Sequence, residues 1–109
     1  MKILYKNKKL EKQCTDLKVA KKDFGDKVGR RLLKAINFIN EAPNLSLIID
    51  FRPFHFHDLK ADRKGQYAID IGTRRDGYRL ILEFDEEDVF VNAIYIEDVY
   101  IAEMGKHYE

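Results

Sequence analysis

The pattern of apolar and polar positions changes period near residue 44, and that change divides the chain into a helical part and a stranded part. Residues 2–6 alternate, with Ile3 and Tyr5 set against Lys2, Leu4 and Lys6, which predicts a short first strand. Over 8–22 the period becomes helical. Leu10, Cys14, Leu17 and Ala20, with Phe24 beyond, keep i, i+4, i+7 spacing while lysines fill the other face. Gly25 is a stop signal and Asp26 an N-cap for a second helix over 27–41, whose stripe is Val28, Leu32, Ala35, Ile36 and Ile39. Pro43-Asn44 ends it. Two helices joined by so short a link form an antiparallel hairpin.

The apolar segment Leu45 to Phe51 reads as a short helical turn packed under a sheet. Thereafter the period is two. Phe54 and Phe56 alternate with His55 and His57; Tyr67, Ile69 and Ile71 with Ala68 and Asp70; Tyr78, Leu80, Leu82 and Phe84 with Arg79 and Glu83. Turns containing Gly65, Gly72 and Gly77 separate these runs, as an antiparallel meander requires. Residues 89–96 and 99–104 are further strand candidates after the acidic turn Asp85–Asp88. The fold class expected is α+β: one domain over 1–109, with an N-terminal helical hairpin packed on a small, antiparallel-rich twisted sheet.

Composition narrows the class. The chain has 109 residues, 45% of them hydrophobic, with seven Phe and six Tyr, so it has the apolar content for a core and is not a disordered chain. No apolar run approaches the roughly 18 residues of a membrane span, and no signal peptide is evident, so a cytoplasmic location is expected. The single cysteine, Cys14, can form neither an internal disulfide nor a thiolate metal cage. The net charge of +1 conceals an asymmetry. Residues 1–34 carry twelve Lys and Arg against four acids, and residues 83–103 carry eight acids and no base. A basic surface aimed at a polyanion fits that split, as does mutual neutralisation within the fold.

Three places gather reactive groups. The connection His57 to Gln66 holds Lys60, Arg63 and Lys64, cations suited to phosphate oxygens, although the same stretch also reads as an ordinary solvated turn. Arg79 should project from the sheet face opposite Tyr78, Leu80, Leu82 and Phe84, where it either stabilises charge on a phosphorane or pairs with Glu83 or Asp70. The chain end holds His107 and Tyr108, and a histidine is the side chain best placed to exchange protons near neutral pH. His55 and His57 on one strand would face the same way, as two metal ligands do, but no third ligand is apparent, and no metal or cofactor is expected.

Together these segments resemble the HigB branch of the RelE-like toxins. The loop Leu59-Lys60-Ala61-Asp62-Arg63-Lys64-Gly65-Gln66 is similar to that branch's Leu-Lys-Gly-Asp-Arg-Lys-Gly motif, and the strand Tyr78-Arg79-Leu80-Ile81 follows it in the family's order. Asn7-Lys8-Lys9-Leu10-Glu11-Lys12-Gln13, Phe24-Gly25 and Ala42-Pro43-Asn44-Leu45 extend the likeness along nearly the whole chain. The resemblance implies a RelE-like fold and a toxin of a type II toxin–antitoxin module. Such a toxin enters the ribosomal A site, cuts mRNA through its 2′-hydroxyl without a metal, and is neutralised by a HigA-like helix-turn-helix antitoxin in a hetero-oligomer.

By the same resemblance His57 is a proton carrier, Lys60 holds substrate phosphate, and Arg79 stabilises the transition state. Arg63 and Lys64, with Lys8, Lys9 and Lys12 of the basic helix, meet substrate or ribosomal RNA. The family ends in Asp-Tyr-His, where this chain has Lys106-His107-Tyr108, and Ala61 stands for the motif glycine. His107 and Tyr108 are therefore both carried as catalytic candidates. The resemblance leaves two alternatives: a ParE-like inhibitor of DNA gyrase, of the same fold but without nuclease activity, or, given Ala61 and Lys106, a catalytically weak member that engages only its antitoxin.

Overall fold

The computed structural model describes residues 1–59 and 65–106. Among them the chain forms β1 (Lys2–Tyr5), α1 (Lys8–Thr15), α2 (Leu17–Phe24), α3 (Asp26–Glu41), α4 (Leu45–Asp50), β2 (His57–Leu59), β3 (Gln66–Asp70), β4 (Tyr78–Glu83) and β5 (Asp98–Lys106). The five strands make one sheet in the order β1-β5-β4-β3-β2. Strands β2 to β5 are an antiparallel meander, and β1 closes the other edge parallel to β5, with Ile3 opposite Val99. The class is α+β, with helices first and the sheet after. No helix among the described residues is long and apolar enough to cross a membrane.

The helix expected over 8–22 is two helices. Asp16 breaks it with extended backbone: its N–H closes α1 on the Lys12 carbonyl at 2.9 Å, and its carboxylate accepts from the N–H groups of Lys18 and Val19, which opens α2. The apolar stripe runs on in phase through this break, so periodicity alone does not reveal it. The helical hairpin is thus α2 and α3. Gly25, with φ 93°, occupies the capping position expected of Asp26, which instead starts α3 and pairs with Lys21 and Arg30. Within the hairpin, Gly29 lets the two backbones meet: a Cβ there would lie 2.8 Å from the Lys21 nitrogen.

The helical turn expected at 45–51 is α4, whose Leu45 and Ile48 are buried and which packs against a 3₁₀ turn at Ala93–Tyr95. That turn corrects the strand expected at 89–96: Asn92 closes a turn on the Asp88 carbonyl, and only Val89, Ala93 and Ile96 are buried. The last strand is longer than 99–104. The run Phe54–His57 is not a strand either, because Pro53 sits in a 3₁₀ turn, Arg52–Phe54, and His55 takes the left-handed conformation before β2 begins.

Burial explains the alternation. Ile69, Ile71, Leu80, Leu82, Val99 and Ile101 turn one sheet face to the helices, against Leu32, Ile36 and Ile39 of α3. The opposite face is only partly apolar: Ala68, Ile81 and Ala102 are buried there, with Leu59 and Tyr100 beside them. This second face carries the candidate site.

Candidate active site

Strand register assembles the site. In β2–β3 pairing His57 lies opposite Ala68, and in β3–β4 pairing Asp70 lies opposite Arg79. Ala68 and Asp70 are two residues apart on one strand, so His57, Asp70 and Arg79 share the face turned away from the helices. Arg79 therefore projects where its strand pattern places it. Of its two expected partners the structure selects Asp70, with Arg79 Nε 3.4 Å from Asp70 Oδ1. Glu83 instead accepts from the Gln66 amide at 2.7 Å.

Asp70 is 5% exposed, and the Arg79 side chain 17%. A carboxylate this deep in the protein is tolerated only when charged or polar neighbours replace its water. Its second oxygen, Oδ2, lies 3.7 Å from Nδ1 of His55. Asp70 thus stands between a guanidinium and an imidazole. It holds Arg79 through Nε, on one side of the planar fork, and so orients the whole group.

His55 reaches Asp70 because of its backbone. With φ 47° it is the non-glycine residue of positive φ among those described, a conformation that costs on the order of 1–3 kcal/mol and tends to occur at functional sites. The kink stacks its ring on that of His57, with centroids 4.6 Å apart and planes 33° from parallel. His55 thus lies outside β2, so the two histidines are not neighbours on one face of a single strand as the sequence suggests. Among the described residues, no group of three or more His, Cys, Asp or Glu side chains is arranged to hold a metal ion.

His57 Nδ1 lies 2.7 Å from the carbonyl oxygen of His55. A carbonyl only accepts, so this nitrogen carries the proton, and Nε2 is the atom through which neutral His57 takes up another. The tautomer of neutral His57 is thus set by its own backbone.

Across from Arg79 on β5 is Gly105, which places no side chain beside the guanidinium. Lys106, one residue on, turns the other way: it pairs in register with Tyr78, and its ammonium lies 5.3 Å from that ring's centre. The lysine that replaces the expected aspartate therefore faces the helical side. Lys8, Lys9 and Lys12 are exposed on α1, whose Leu10 and Cys14 join the core beneath the helices. Lys60, Arg63, Lys64, His107 and Tyr108 lie outside the described residues. Sequence reasoning missed His55 as a partner of Asp70; its signal was Pro53 just before it, which is poorly suited to a strand interior. No family model matches the sequence, and no curated protein matches it.

Proposed function

We propose that the chain is the toxin of a type II toxin–antitoxin module: a HigB-like, ribosome-dependent endoribonuclease that cuts mRNA in the ribosomal A site and stops translation in the cytoplasm. The observation that carries this reading is the shared sheet face of His57 and Arg79, a tautomerically set base and an oriented cation on rigid strands. In the proposed reaction His57 Nε2 takes the proton of a ribose 2′-hydroxyl. The 2′-oxygen bonds to the adjacent phosphorus, the bond to the 5′-oxygen breaks, and an acid protonates that leaving oxygen. The products are a 2′,3′-cyclic phosphate and a 5′-hydroxyl. Arg79 neutralises the charge that builds on the phosphoryl oxygens. His107 or Tyr108 as the acid, with Lys60, Arg63 and Lys64 as phosphate or ribosomal RNA contacts, belong to the proposal through the family resemblance.

The neutralising partner is proposed to be a HigA-like antitoxin, and its docking surface the turn between β4 and β5. Phe90, Val91, Ile94 and Tyr95 are exposed there, Val91 at 81% and Tyr95 at 79%, with exposed Leu47 on the adjoining α4. Clustered apolar exposure of this kind marks protein contacts. Exposed Asp85, Glu86, Glu87, Asp88, Glu97 and Asp98 border it, which suits a basic partner segment.

The test is mRNA cleavage by purified protein, with and without ribosomes, mapped at nucleotide resolution. Cuts that need ribosomes and disappear in Arg79→Ala are expected. Intact mRNA in both reactions, from folded protein, would overturn the nuclease reading and leave gyrase supercoiling and antitoxin binding as the next assays.

A further inference from the structure

Between α3, the segment 51–54 that follows α4, and the end of β3 lies a cavity of about 340 Å³. Its walls are aromatic: Phe38, Phe51 and Phe54 meet one another with ring centroids 4.5 to 5.3 Å apart, and Pro53 adds a flat apolar edge. Its mouth is cationic, because Arg31 and Lys34 stand one turn apart on α3. Volumes from about 300 Å³ upward are those of small-molecule sites lined by apolar rings and a few placed polar groups.

Arg31 is built into position. Its Nη1 donates to Asp76 Oδ2 at 2.8 Å, and the same carboxylate oxygen accepts from the Thr73 hydroxyl at 3.0 Å. The guanidinium and its stem also lie against Gly72, where φ is +89° and an added Cβ would be 2.7 Å from Nη1. The positive φ is what favours glycine here, while the arginine end could shift to admit a side chain. A turn shaped around an arginine at the mouth of an aromatic cavity is more than a solvated surface charge needs. Asp70, at the end of β3, also lines the cavity, with its carboxylate turned to Arg79 and His55 on the other sheet face.

We propose that this cavity binds a nucleotide, with the base stacked against the phenylalanine cluster and an anionic phosphate at Arg31 and Lys34. Rings of every base stack on aromatic side chains, and a guanidinium fork matches phosphate oxygens. The same chemistry is offered by a free mononucleotide or by one base of a single-stranded RNA. The RNA source rests on the nuclease reading, which supplies the strand; the free-nucleotide source does not.

The experiment is an amide NMR titration of the full chain in two arms, one with adenosine 5′-monophosphate and one with a short single-stranded DNA, which lacks the 2′-hydroxyl and stays uncut. Shifts at Phe51, Ile71, Gly72 and Thr73 are expected, with affinity falling about tenfold in Phe51→Ser and in Arg31→Gln but not in Leu17→Ser. Arg31 is half-buried and outside the apolar core, so its variant remains informative if Phe51→Ser does not fold. Response to the mononucleotide identifies a free ligand, and response to the DNA alone identifies a strand. Shifts absent, or confined to the lysines of α1, overturn the proposal. Ribosome-dependent cleavage with silent cavity amides would overturn it while sparing the nuclease reading. Cavity binding without cleavage would do the reverse.

Discussion

Asp70 and Arg79 face each other across β3 and β4, with carboxylate and guanidinium 3.4 Å apart on a sheet face otherwise sealed by Ala68, Ile81 and Ala102. This pair makes Arg79 an oriented group. Arg79→Ala is expected to lower the cleavage rate by about 10²–10³, the usual cost of removing one preorganised donor. Asp70→Asn keeps the shape and loses the charge. It should lower the rate less than Arg79→Ala does, and leave single-turnover substrate binding nearly unchanged. Ribosome-dependent single-turnover cleavage checks both.

His57→Ala is expected to cost about 10²–10⁴ in rate, the range of a lost general base. The acidic limb of the pH–rate profile should flatten in the variant, since that limb reports protonation of the base. An unchanged profile would remove His57 from the proton transfer.

The apolar turn after β4 gives a prediction about binding alone. Val91→Asp and Tyr95→Ser should weaken association with the cognate antitoxin while leaving mRNA cleavage intact. Both side chains are exposed, so truncating them leaves the core untouched. Titration calorimetry against the antitoxin, with cleavage measured in parallel, separates the two effects.

Gly29→Ala tests the helical hairpin. Its Cβ would lie 2.8 Å from the Lys21 nitrogen and 2.9 Å from the Ala20 carbonyl carbon, both backbone atoms. The α2 and α3 backbones must then separate, at a cost of about 1–3 kcal/mol by analogy with overpacked cores. Urea denaturation should show a lower midpoint with an unchanged slope.

Alkaline pH should destabilise the protein through two acids, buried Cys14 and half-buried Tyr5. Burial pushes the Cys14 thiol from its usual 9.0 up to about 12. Burial, with Cys14 and Glu11 nearby, raises the Tyr5 phenol from 10.0 to about 12. Both groups stay protonated in the fold where the unfolded chain would release the proton. Their contribution is therefore complete below about pH 9 and is lost as pH rises toward 12. The double variant Cys14→Ala, Tyr5→Phe should unfold with a shallower pH dependence over that window. In the native protein Cys14 should resist alkylation until the chain unfolds.

What the amino-acid order determined by itself was local and periodic. The stripe of α3, the short α4 and the alternation of β3 and β4 follow from which side chains avoid water, and water is the same for every segment. Arg79 was assigned to its face by that alternation alone, since the residues at either side of it point to the core. Tertiary structure decided what periodicity does not encode. Asp16 breaks a helix without disturbing its apolar phase, because one capping carboxylate satisfies the N–H groups that the break exposes. His55 leaves the strand pattern because Pro53 and the 3₁₀ turn before it direct the backbone into a left-handed residue. The pairing of β1 with β5 joins segments some 96 residues apart, as in Lys2 with Asp98. Such a pairing depends on chain-length contacts and not on neighbours in sequence. The cluster of His55, His57, Asp70 and Arg79 belongs to this second kind: strand register brings His57, Asp70 and Arg79 to one face, and the left-handed backbone of His55 adds its ring.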